Sequence, residues 1–99
     1  MGDTEPFGIV RPMGLTHVEF MRSLPAAVEG MDCRVDGPRI EIADAGRRIE
    51  ILLGPEQERR LGSLALPQTQ VNLSFEGFSE EQRKDFLRRF DLAFQRGGG

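Results

Sequence analysis

Two short runs of strict alternation, Arg39-Ile40-Glu41-Ile42 and Arg48-Ile49-Glu50-Ile51, flank the triplet Asp44-Ala45-Gly46. Apolar residues at every second position place one face of a strand against a core and the other toward water. The triplet has the chemistry of a tight turn. Together they predict an antiparallel hairpin with Ile40, Ile42, Ile49, Ile51 and Leu53 on the buried face. The rest of the chain has to supply the cover for those side chains.

The neighbouring segments extend the sheet. Met31 to Val35 reads as a short first strand, and Gly37-Pro38 punctuates it. Gly54-Pro55 and Pro67-Gln68 mark further turns. Gln70 to Phe75 alternates cleanly, with Val71, Leu73 and Phe75 inward. Arg59 to Leu66 is a poorer strand. Leu61 and Leu64 are out of phase, so a β-bulge at Gly62 is expected to restore the register.

Two helices bracket this β region. Thr16 and Glu19 have the spacing of a reciprocal capping box, with Leu15 and Phe20 as a hydrophobic staple across it. Val18, Phe20, Met21 and Leu24 are expected on one apolar face. Pro25 either ends this helix or begins a further turn through Ala26, Ala27 and Val28, and Gly30 supplies the stop. Ser79 and Gln82 repeat the capping pattern before a second helix. There Phe86, Phe90 and Phe94 recur every fourth residue with Leu87 and Ala93 beside them, and Arg88, Arg89 and Arg96 favour the negative end of the helix dipole. The expected fold is α+β: an antiparallel meander of about four strands flanked by an N-terminal and a C-terminal helix on one face, in the order α-β-β-β-β-α. Residues 1–14 are expected to be a flexible arm, 15–96 a single domain, and 97–99 a flexible glycine tail.

Composition narrows the function classes. The 99-residue chain carries 13 basic and 16 acidic groups, a formal charge of −3, which argues against a general nucleic-acid binder. No apolar run is long enough to span a membrane. Residues 1–14 lack the basic start and apolar stretch of an export signal, so the cytoplasm is the expected compartment. The single Cys33 excludes an internal disulfide and any multi-cysteine metal site.

Catalytic candidates are sparse. His17 and Cys33 are the sole imidazole and thiol, and they match no nucleophile or zinc pattern. Asp32, Asp36 and Asp44 do not form a calcium loop, and no glycine-rich phosphate loop leads into a helix. The expectation is no catalytic residue, no metal and no cofactor.

The polar strand face offers Arg39, Glu41, Arg48, Glu50, Gln70, Asn72 and Ser74, which suggests cross-strand ion pairs. It has no aromatic residue for stacking on RNA bases. Leu52 and Leu61 are expected to face away from the helices. With Phe7, Ile9 and Val10 they are a candidate apolar patch. Arg39, Glu41, Arg48, Glu50, Leu52, Leu61 and Asn72 therefore outline an expected interaction surface for another protein or a second copy of the chain. The expected role is a small non-enzymatic interaction or assembly module. Two alternatives stand beside it: a small-ligand or anion-binding domain, and a carrier acting through its C-terminal Gly-Gly, an ending that resembles those of ubiquitin-like modifiers and sulfur carriers.

Overall fold

The computed structural model describes residues 7–97. The elements run β1 (Phe7–Met13), α1 (His17–Ala27), β2 (Asp32–Asp36), β3 (Arg39–Asp44), β4 (Arg47–Leu53), β5 (Gln57–Leu61), β6 (Leu64–Glu76) and α2 (Glu80–Gly97). The sheet is antiparallel throughout, in the order β1-β6-β4-β3-β2, and β5 pairs with the first part of β6. The α+β arrangement with two flanking helices is as expected, but the described residues form six strands rather than four, and the order is no simple meander because β6 lies between β4 and β1.

The central hairpin forms as the alternation predicts. Asp44 pairs with Arg47, leaving Ala45 and Gly46 as a two-residue turn. Both have positive φ, 51° and 83°, which is the primed turn that matches strand twist. Both capping boxes are present. Thr16 Oγ1 accepts from the Glu19 amide at 3.1 Å, while the Thr16 amide donates to Glu19 Oε1 at 2.9 Å. Ser79 and Gln82 repeat this pair at 3.1 and 2.9 Å.

Three expectations are corrected. First, Phe7–Met13 is not a flexible arm but strand β1, paired along its length with Thr69–Phe75. Its only partner among the described residues lies some sixty residues downstream, so no local signal marks it. Arg11 on β1 forms an ion pair with Asp91 of α2, and the Arg83 guanidinium lies 4.0 Å from the Phe7 ring centre. Residues 1–6, 98 and 99 lie outside the described residues, and Gly97 is the last residue of α2 rather than the start of a tail. Second, Gly62 is not a bulge. Leu61 pairs with Leu64, so Gly62 and Ser63 are the turn of a hairpin, with Gly62 at φ 63°. Third, Val18 is 65% exposed. At about 100° per residue it lies opposite Phe20, whereas Phe20, Leu24 and Ala27 form the buried stripe. Pro25 sits inside α1, and the helix continues to Ala27.

The core lies between the sheet and both helices. Ile40, Ile42, Ile49, Ile51, Val71, Leu73 and Phe75 from the sheet meet Phe20 and Leu24 of α1 and Phe86, Phe90 and Phe94 of α2. The rings stack through the layer: Phe90–Phe94 at 4.5 Å, Phe20–Phe94 at 4.8 Å, Phe75–Phe78 at 5.3 Å and Phe75–Phe86 at 5.8 Å between centres. A fully buried Phe contributes roughly 1.5–3 kcal/mol, so this aromatic layer is the main adhesive between helices and sheet.

Candidate interaction surface

Side chains alternate across a strand, so the residues opposite the core share a second face. The registers place them in rows. Arg39, Leu52, Asn72 and Val10 lie side by side across β3, β4, β6 and β1. The next row is Glu41, Glu50, Ser74 and Gly8. Among the described residues no helix covers these rows, and they make an open floor.

The floor is polar in the manner expected of a cross-strand lattice. Arg39 Nε is 2.7 Å from Glu50, and its Nη2 is 3.2 Å from Glu41. Both glutamates neighbour each other across β3 and β4, so one guanidinium holds two like charges together. Arg48 lies on the same face without a carboxylate inside 4.0 Å among the described residues. Arg39, Glu41, Arg48, Glu50, Ser74 and Glu76 rim a shallow open recess of about 330 Å³.

The sequence did not reveal how far this face extends. β6 is 13 residues long, and only its second half belongs to the body of the sheet. Its first half pairs with β5 and projects as a two-stranded arm. Because β6 keeps one alternation throughout, Leu64 and Leu66 face the same way as Asn72 and Ser74. Leu61 and Arg59 join them from β5 by pairing with Leu64 and Leu66. Val10, Leu52, Leu61, Leu64 and Leu66 are 42–62% exposed, and they account for five of the nine large exposed apolar residues among those described. Leu64 and Leu66 were missed as surface residues. The signal was the phase slip at Gly62, since residues i and i+3 around a two-residue turn face the same side.

The arm is anchored at its root by α1. The His17 ring nitrogen Nε2 lies 2.6 Å from the Gly54 carbonyl, and the His17 amide donates to Glu56 Oε2 at 2.8 Å. Buried Thr69 donates from Oγ1 to the Leu15 carbonyl at 2.8 Å, fixing β6 to the same helix start. His17 is thus occupied at the break between β4 and β5. Cys33 stands on β2 opposite Ile42, which is itself opposite Ile49. That is two strands over and five residues along from Gly54, roughly 16 Å away along the strands alone. The imidazole and the thiol do not meet. Cys33 is exposed, and the partial burial it has raises its thiol above the usual value, so it holds less of the reactive thiolate.

Among the described residues, no helix is long and apolar enough to cross a membrane. Gly98 and Gly99, the residues of the carrier reading, lie outside the described residues. In comparisons with known proteins, no family model matches the chain, and no curated protein or solved structure does.

Proposed function

We propose that this chain is a small non-enzymatic interaction module that engages a protein partner through the open floor and the arm. The observation that carries this reading is the gathering of Val10, Leu52, Leu61, Leu64 and Leu66 on one uncovered face. Exposed apolar groups gathered on one face and bounded by charged ones are the usual mark of a partner site. The Arg39–Glu41–Glu50 cluster supplies such a boundary.

The aromatic layer supports this reading over a small-ligand binder. Phe20, Phe86, Phe90 and Phe94 occupy the space between helices and sheet where a ligand would otherwise sit. The separation of His17 from Cys33 supports a non-catalytic role. An exposed, unpaired Cys33 fits a reducing compartment such as the cytoplasm.

A photo-crosslinking residue tests the surface directly. Benzoylphenylalanine at Leu66 in living cells is expected to yield discrete adducts, while the same residue at Arg88 on the exposed side of α2 yields none. Equal labelling at both positions, or none at Leu66, overturns the proposal.

A further inference from the structure

We infer that the open face pairs two copies of this chain, antiparallel, with each arm lying on the other's floor. This rests on the reading of that face as a protein-binding surface and names its occupant.

The first support is the internal arrangement of the face. Leu61, Leu64 and Leu66 form one apolar group on the arm, and Leu52, Val10 and Pro12 form another on the floor. The Gln57–Gln68 pair lies between them. A twofold axis in the plane of contact, crossing the strands at that pair, returns β6 onto β6 in reverse. Gln68 then meets Gln68. Leu64 falls on Asn72 between Leu52 and Val10. Leu61, one strand aside on β5, falls on Leu52, one strand aside on β4. Each group covers the other without a residue from a different protein, as an isologous interface requires.

Charge points the same way. On this face the arm carries Arg59, while Arg60 and Glu58 alternate to the other side and form an ion pair there. On the floor, Glu41, Glu50 and Glu76 outnumber Arg39 and Arg48. The seating at Gln68 lays Arg59 over uncharged Gly54, whereas arm against arm sets Arg59 on Arg59. The Arg39–Glu41–Glu50 cluster lies beside and beyond the apolar contact, where a polar rim belongs.

The seating overlaps residues 64–72 of each β6, about 27 Å of strand, which makes the contact a small, concentration-dependent one. Two sheets facing each other through such side chains pack about 10 Å apart.

Light scattering across a concentration series tests the pairing. The mass is expected to rise from the 11.1 kDa of one chain to twice that value. Leu52→Asp on the floor and Leu66→Asp on the arm are each expected to weaken the dimer at least tenfold, because each carries a charge into an apolar contact. Both side chains are exposed in the single chain, so circular dichroism and the denaturation midpoint should stay near wild type. Seating is read in a Cys33→Ser background. Leu61→Cys chains mixed with Leu52→Cys chains should join through a short bismaleimide, and Leu61→Cys chains alone should not. A single-chain mass at every concentration overturns the pairing. So does a dimer indifferent to both aspartates, or one that links only Leu61→Cys to itself. If the mass stays single while benzoylphenylalanine at Leu66 captures another protein, the pairing fails and the interaction reading survives.

Discussion

The two halves of β6 carry apolar residues in opposite phase and meet different fates. Val71, Leu73 and Phe75 in the second half are buried, while Leu64 and Leu66 in the first half stand in water. Their phase separates them: Leu64 and Leu66 share the face of Asn72 and Ser74, opposite the one that carries Val71, Leu73 and Phe75. The helices lie on one side only: α1 and α2 cover the face of Val71, Leu73 and Phe75, and among the described residues nothing covers the face of Leu64 and Leu66. The apolar alternation of a strand therefore specifies a sided surface, and a second layer decides whether that surface becomes core or is left for a partner.

The comparison breaks most visibly at the aromatic layer. Phe90→Ala, at a fully buried position, should cost about 3–5 kcal/mol in chemical denaturation, as expected for a Phe truncated in a packed core. A loss below half a kcal/mol (about a twofold change in equilibrium constant) would mean the layer does not hold helices to sheet. A sharper cut uses the strand against itself. Leu73→Ala should cost about 2–5 kcal/mol, whereas Leu66→Ala, measured at dilute protein, should stay within about 0.5 kcal/mol. Equal losses would make the arm part of the folded core. The smallest effect concerns the turn that anchors the sheet. Ala45 holds φ 51° without being glycine, so Ala45→Asn should raise the denaturation midpoint by about 0.5–1 kcal/mol equivalent. An unchanged or lowered midpoint would show that the turn carries no such strain.

Much of the body was legible because its signals are local. The capping pairs Thr16–Glu19 and Ser79–Gln82, the primed turn at Ala45-Gly46 and the stripe Phe86–Phe90–Phe94 each sit within a few residues of one another. What stayed hidden is non-local or depends on phase. β1 contains Gly8 and Pro12 and alternates weakly, so its identity as a strand comes from the free edge of β6. Pro12 is tolerated there because β1 pairs only on one side. The slip between Leu61 and Leu64 has two local explanations, a bulge or a turn, and the distant pairing of Gln57 with Gln68 selects the turn. The candidate surface followed the same division. Arg39, Glu41, Arg48, Glu50, Leu52 and Asn72 lie where alternation puts them on the floor. Leu61 faces the same side as they do, but from the arm rather than from the floor, and Leu64 and Leu66 came into view only with the hairpin.

One mechanical consequence follows from the unbroken run of β6. The arm is a cantilever whose beam continues into the middle of the wall that holds it, with the parallel rail interrupted at Gly54 and clamped there by the imidazole of His17. A load applied at the tip is delivered straight to Leu73 and Phe75. Such a rod reaches its target already aimed, and the freedom surrendered on landing is small.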